Sequence, residues 1–212
     1  MLHIQGFTFN HFQENTYVLW DETGSCMVVD PGCYFPEEKE QLKSFIEENK
    51  LKPELLVNTH CHIDHVLGND FVIDTWKLPL HLHQGELKTY TGNSAFAAMF
   101  GIPKPQVPEN LIFLEPNSKI KFGNTSFQVL FTPGHSVASV SFYQKESKIL
   151  LAGDVLFKQS IGRTDLPGGN HQQLIDSIKQ VLFKLPDECI VFSGHGPSTT
   201  LGEEKLNNPY LR

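Results

Sequence analysis

The segment Thr59-His60-Cys61-His62-Ile63-Asp64-His65 places three imidazoles and one carboxylate within six consecutive positions, 60–65. A neutral imidazole offers a free ring-nitrogen lone pair, which makes histidine the commonest metal ligand near neutral pH. In an extended stretch, side chains two positions apart point the same way. His60 and His62 are therefore expected to grip one ion together. Asp64 and His65 come at the turn that follows and face a second ion nearby. Zinc accepts this mixture of nitrogen and oxygen donors. A histidine-rich surface loop is the plainer alternative. It fits poorly with the preceding run Leu55-Leu56-Val57, which reads as a buried strand. Titratable groups at the carboxyl end of a strand are how open α/β folds build sites. Cys61 sits between the two histidines, so its side chain is expected on the opposite side, away from the ion.

Two ions need more donors than this loop supplies, and three further strand ends offer them. Phe127 to Phe131 runs into Thr132-Pro133-Gly134-His135-Ser136. Ile149 to Ala152 runs into Gly153-Asp154, and Ile190 to Phe192 into Ser193-Gly194-His195-Gly196-Pro197. In each case an apolar run stops where a Gly stands beside one His or Asp. Glycine lets the backbone turn sharply and approach closely. A lone His after Gly is ordinarily a loop residue. Its repetition at strand ends gives the pattern weight.

The elements that must position these groups follow from periodicity and punctuation. His3 to Phe9, Asn15 to Trp20 and Cys26 to Val29 read as strands, with Asp21 to Ser25 a turn. Pro36 opens a helix to about Lys50, with acids in its first turn and Leu42, Phe45 and Ile46 at inner-face spacing. Leu55 to Asn58 is the strand that delivers the cluster. A helix from about Val66 to Trp76 and a strand at Leu80 to Leu82 come next. Residues 84–118 form an irregular excursion with Pro103, Pro105, Pro108 and Pro116. It is helical around Glu86 to Phe100 and is expected to line a site. Ile120 to Phe122, Phe127 to Phe131, Ser139 to Tyr143 and Ile149 to Leu151 are strands. Asn170 and Gln173 suit a capping box for a helix from His171 to about Phe183. A strand at Ile190 to Ser193 and a helix near Gly202 to Leu206 complete the chain. Strands in antiparallel style followed by strand–helix alternation, twice over, imply two sheets with helices outside both.

The 212 residues suffice for one domain with a substantial core, and no repeat or linker divides them. A net charge of −7 disfavours nucleic acid as a partner. No stretch approaches the roughly 20 apolar residues that span a bilayer. The first residues lack a basic and apolar leader. Cys26, Cys33, Cys61 and Cys189 are scattered and form no CxxC pair, as expected of reduced thiols in the cytoplasm.

Together, Thr59 to His65, Pro133-Gly134-His135-Ser136, Gly153-Asp154 and Gly194-His195-Gly196 resemble the metallo-β-lactamase-fold hydrolases. Val29-Asp30-Pro31-Gly32 matches an early motif of that superfamily. The stretch Ser160 to Gly169, with Gly194 to Thr200 and Asn208 to Leu211, is most similar to the short glyoxalase II-like (hydroxyacylglutathione hydrolase-like) enzymes. The resemblance implies an α/β, four-layer αβ/βα sandwich: two mixed β-sheets, helices on the outer faces, and metals at one edge. It implies that His60, His62 and His135 hold one divalent ion, that Asp64, His65 and His195 hold a second, and that Asp154 bridges them. Zinc is the first expectation for both ions, with iron or manganese as alternatives. Asp30 reads equally as a carboxylate orienting a ligand histidine or as a simple turn residue.

The implied chemistry is hydrolysis of a small-molecule thioester such as S-lactoylglutathione. Two ions about 3.5–4 Å apart hold a bridging hydroxide, and Asp64 orients it as the catalytic residue. Full-length glyoxalase II enzymes bind glutathione through a C-terminal helical domain. Here the single domain is expected to fill residues 1–212 without one, which leaves the thiol open. Arg163 is read as a structural salt-bridge partner of Asp165 or another acid, in preference to a substrate anchor. Phe131, Tyr143 and Phe157 are read as core, and Lys158 as solvated. The rivals are a mononuclear-iron persulfide dioxygenase, a lactonase or other ester hydrolase, a β-lactamase, and a metal-binding module without activity.

Overall fold

Alternating apolar residues build two six-stranded sheets that face each other. The computed structural model describes residues 1–102 and 105–212; Pro103 of the irregular stretch lies outside them. The first sheet runs in chain order: β1 (His3–Phe9), β2 (Glu14–Trp20), β3 (Ser25–Val29), β4 (Lys52–Val57), β5 (Leu80–Leu82) and β6 (Leu111–Phe113). Its β1–β3 part is antiparallel and its β3–β6 part parallel. The second sheet contains β7 (Lys119–Phe122), β8 (Thr125–Phe131), β9 (Val140–Gln144) and β10 (Ile149–Gly153), all antiparallel. A small hairpin of β11 (Leu156–Phe157) and β12 (Ser160–Ile161) follows β10. Then β13 (Ile190–Ser193) joins β10 in parallel, and β14 (Thr199–Thr200) closes the edge.

The period of two sorts the strand residues into layers. Leu19, Met27, Val29 and Val57 point inward and meet Phe122, Phe127, Val129 and Phe142 of the second sheet. Their neighbours Val18, Val28 and Leu56 point outward. That outer face is covered by α1 (Pro36–Glu48), α2 (Asn69–Trp76) and α3 (Leu87–Phe100), through residues such as Leu42, Ile46, Val72 and Tyr90. The second sheet's outer face receives Leu174 and Ile178 of α4 (His171–Gln180) and Leu201 of α5 (Leu201–Asn207). Helix, sheet, sheet, helix is the expected four-layer sandwich. No helix among the described residues is long and apolar enough to cross a membrane.

Several boundaries differ from the sequence expectation for physical reasons. The helix expected from Val66 begins at Asn69, after a 3₁₀ turn at Ile63–His65. Asn58 Nδ2 holds the His65 carbonyl, and the Pro31 carbonyl takes Gly68 N–H, so this backbone is diverted. The helix expected to reach Phe183 ends at Gln180 and continues as a 3₁₀ turn at Leu182–Lys184, just before Pro186. Asn170 Oδ1 accepts from Gln173 N–H, but the expected capping box is only half formed: Asn170 N–H donates to the Gly134 carbonyl instead of to the Gln173 side chain. The short strands β6, β12 and β14 were not expected from the sequence, because so few residues leave the alternation little room to show.

Candidate metal centre

Four strand ends of the two sheets meet at one edge, and each brings its donors there. β4 ends in the His60–His65 loop, β8 in His135, β10 in Asp154 and β13 in His195. Cross-sheet bonds fix their relation. Asn15 N–H donates to the Gly194 carbonyl at 2.7 Å. Asn15 Nδ2 reaches the Ser193 and Gly196 carbonyls at 3.1 and 2.8 Å, and Tyr17 Oη donates to the Ser193 carbonyl at 2.7 Å. Val140 N–H donates to the Thr59 carbonyl at 2.8 Å, tying the second sheet to the cluster loop.

The donors fall into two triads. Ligand atoms of His60, His62 and His135 lie within 4.8 Å of one another, as do those of Asp64, His65 and His195. Asp154 stands between them. Its Oδ2 is 3.4 Å from His135 Nε2 and 3.5 Å from His195 Nε2, and its Oδ1 is 3.5 Å from His65 Nε2. Asp64 Oδ2 lies 3.1 Å from His195 Nε2. His62 Nδ1 and His135 Nε2 approach to 2.8 Å, two ring nitrogens aimed at one point. His60 Nε2, His65 Nε2 and Asp154 Oδ1 are buried without any hydrogen-bond partner. Buried polar atoms are almost always partnered. A donor set with unpartnered inward atoms, three imidazoles on one side and mixed imidazole–carboxylate on the other, fits divalent cations.

Electrostatics divide the triads the same way. Burial, with neighbouring imidazoles, pushes His60 well down and His62 down to about 3, so both present lone pairs. Burial would lower His65 and His195, but Asp64 and Asp154 outweigh it and push both up. Burial would raise Asp154 and Asp64; the imidazoles, led by His65, hold both below the usual carboxylate range. The two carboxylates thus favour positive charge at the second triad. Metal binding releases protons from such ligands.

A supporting layer holds the rings by their far nitrogens. Asp30 Oδ2 meets His65 Nδ1 at 3.2 Å and accepts from Thr59 Oγ1 at 2.6 Å; Oδ1 accepts from Thr59 N–H at 2.7 Å. Asp30, His60 and His65 form a third geometric grouping, but the Asp30 oxygens are spent on these bonds, opposite the inward edge of His65. Asp30 is therefore more than a turn residue, although it does hold a left-handed backbone at φ 47°. Thr59 Oγ1 also meets His60 Nδ1 at 3.0 Å, the Arg163 carbonyl meets His135 Nδ1 at 2.8 Å, and the Gln13 carbonyl meets His195 Nδ1 at 3.1 Å.

Two residues without a sequence signal complete the frame. Glu86 is fully buried at the start of α3; its carboxylate accepts from Cys61 N–H at 2.9 Å, Ser136 Oγ at 2.7 Å and Ala138 N–H at 2.8 Å. Asn93 Nδ2 donates to the Cys61 carbonyl at 3.0 Å. Thus α3 grips the backbone between two candidate ligands from both sides. The Cys61 side chain packs in the outer core, away from the donors as expected. Arg163 pairs with Asp165 through two bonds of 2.7 Å, the structural pairing expected. Phe131 and Tyr143 pack with the cores. Phe157 departs from its expected core role. It is half-buried on the β11–β12 hairpin, lines the cavity at the centre, and meets the His195 ring edge-on at 6.3 Å. That hairpin explains the closing motif: Asn208 Nδ2 donates to the Ser160 carbonyl at 3.0 Å, and Glu204 accepts from Gln159 N–H at 2.9 Å.

The sequence profile of the metallo-beta-lactamase superfamily matches residues 10–195. The hydroxyacylglutathione hydrolase GloC of Haemophilus influenzae is 34% identical over 207 residues, covering 94% of this chain and 93% of that protein. The crystal structure of the BLEG-1 B3 metallo-beta-lactamase superposes with a TM-score of 0.89 at 36% identity, over 99% of both chains. That of TTHA1623 in a di-iron-bound form superposes with a TM-score of 0.86 at 38% identity, over 98% of this chain and 100% of that one.

Proposed function

The chain belongs to the metallo-beta-lactamase superfamily and is a metallo-hydrolase; from that premise we propose that it hydrolyses thioesters in the manner of glyoxalase II, with two divalent metal ions. The observation that carries this reading is the convergence of two donor triads on Asp154, with buried inward atoms that have no protein partner. His60, His62 and His135 would hold one ion and Asp64, His65 and His195 the other, with Asp154 serving both. When bound, such ions supply a Lewis acid and a water acidified to near-neutral pKa.

The chain's own groups do the rest. Asp64 Oδ2 faces the cavity beside His195 Nε2 and would orient the attacking water. Asp30, Thr59 and the Arg163 and Gln13 carbonyls hold the imidazoles in one orientation. A thiolate is a good leaving group, and no general acid is assigned to it. Likeness to GloC supports the thioester, and likeness to di-iron TTHA1623 puts iron beside zinc. Four free, buried cysteines suit a reducing compartment such as the cytoplasm.

The test is elemental analysis of protein purified without added metal, paired with S-acyl thioester hydrolysis. About two metal equivalents, with turnover that Asp64→Ala lowers at least 100-fold while metal is lost from the second triad, supports the reading; an Asp64→Ala variant with full turnover and full metal content overturns the role of Asp64. One iron per chain with oxygen uptake on a persulfide overturns the reading. Likeness to BLEG-1 supplies a further arm, a chromogenic β-lactam. Faster β-lactam than thioester turnover also overturns it.

A further inference from the structure

The cavity of about 440 Å³ at the candidate centre is walled by aromatic rings from three separate elements. Phe12 comes from the β1–β2 turn, Phe96 and Phe100 from α3, and Phe157 from the β11–β12 hairpin. Ile161 and Leu166 fill between them. Phe12 and Phe100 meet edge-to-face at 5.2 Å and form one rim. Phe100 is nevertheless 52% exposed. An aromatic rim left this open beside a polar centre offers apolar contact area to whatever enters.

Away from the candidate centre, the same cavity offers little to a charged substrate. Among the described residues that line it, Arg163 is the sole Lys or Arg, and its Nε and Nη2 already pair with Asp165. A glutathione moiety carries two carboxylates and an ammonium, each of which needs a partner when taken out of water. A second cavity of about 300 Å³ shares only His62, Asn93 and Phe96 with the first. Two substrate arms therefore diverge from the neighbourhood of His62. The aromatic arm is the one that contacts both triads and Asp154.

We infer that the aromatic cavity is an acyl site, and that the preferred substrate is a thioester with an apolar acyl group, aromatic or branched, in place of a small hydroxyacyl group. The inference rests on the hydrolase reading above and adds the substrate class to it. The second arm then receives the thiol, with the exposed Lys88 on its wall.

The experiment compares S-phenylacetyl and S-lactoyl esters of one neutral thiol, N-acetylcysteamine, on the wild type and the Phe12→Ala/Phe100→Ala double variant. The wild type is expected to favour the phenylacetyl ester at least tenfold in kcat/KM, and the double variant to lose most of that ratio. A lactoyl preference, or a ratio untouched by the double variant, overturns the inference. A parallel binding measurement separates the two readings. The amide analogue of the phenylacetyl ester, with N–H in place of sulfur, is titrated by calorimetry. Binding that weakens at least tenfold in the double variant supports the acyl site even if no thioester is hydrolysed, an outcome that would remove the hydrolase reading alone. Absence of binding to the wild type overturns the acyl site. Thermal melting of both proteins confirms that the variant is folded.

Discussion

The Asp30 carboxylate accepts two hydrogen bonds from Thr59 and holds His65 by Nδ1, so one buried side chain sets the position of the loop and the orientation of a ring. Asn at this position tolerates the left-handed backbone but cannot match both acceptors. Asp30→Asn is expected to fold and to lose about 10- to 100-fold in metal affinity, the usual effect of removing a ligand's supporting carboxylate. Metal retained against competing chelators measures this, and wild-type retention would reduce Asp30 to a turn residue. The loop donors His60, His62, Asp64 and His65 were legible from residue type and spacing; His135, Asp154 and His195 stood out only as donors beside Gly at strand ends, and the family resemblance assigned them as ligands. Asp30 was half legible, since Asp before Pro-Gly is also an ordinary turn. Glu86 was not legible. An acid at a helix start reads as favourable charge for the helix dipole, and only tertiary structure buries it against two loops.

Strand ends place the candidate ligands, and two close approaches show how tightly. A Cβ on Gly194 would sit 2.1 Å from Asp154 Oδ1 and 2.7 Å from His65 Cε1. The fold can accept Gly194→Ala only by moving both the carboxylate that stands between the triads and the His65 ring. The variant is therefore expected to keep its melting temperature within a few degrees and lose at least 100-fold in kcat/KM, with metal content falling below two equivalents. Full activity with Ala would mean that Asp154 is not held where the structure has it. The second approach is that of α3. Glu86→Gln replaces one accepting oxygen by a donor that faces Cys61 N–H or the Ser136–Ala138 segment. A lost bond to a buried charged acceptor costs roughly 1–3 kcal/mol. Denaturant unfolding should show that loss, together with weaker metal binding, because the His60–His62 and His135 loops are no longer clamped to one carboxylate. Helix propensity announced α3 itself; its role as a clamp and a cavity wall depends on contacts with residues 25 to 50 positions away, which periodicity does not encode.

The two sheets are fastened at both ends of the sandwich, and only one end carries the candidate centre. At the site end, Asn15 and Tyr17 of the first sheet hold the Ser193–Gly196 segment of the second. At the far end, Asp21 in the β2–β3 turn accepts from Asn124 N–H at 2.7 Å and Thr125 Oγ1 at 2.9 Å in the β7–β8 hairpin, and from Thr23 N–H at 3.0 Å. Burial alone would raise Asp21; these hydrogen bonds outweigh it and hold its carboxyl at about 2. Its unfolded value is near ~3.9. The folded pKa is thus the lower one, so the unfolded chain takes up the proton first as pH falls. The clasp contributes fully above the unfolded pKa, weakens below about pH 4, and is gone once pH has fallen through about 2. Asp21→Asn should therefore cost roughly 1–3 kcal/mol at pH 7, with the gap from wild type shrinking as pH falls toward 3 and below. Urea midpoints of both proteins at pH 7 and pH 3 give the comparison. A gap that stays constant between those pH values would mean that the carboxylate charge does not fasten the sheets. Because Asp21 lies at the opposite end from the His–Asp cluster, this loss should leave metal content unchanged in the folded protein, which separates the stability of the sandwich from the chemistry at its edge.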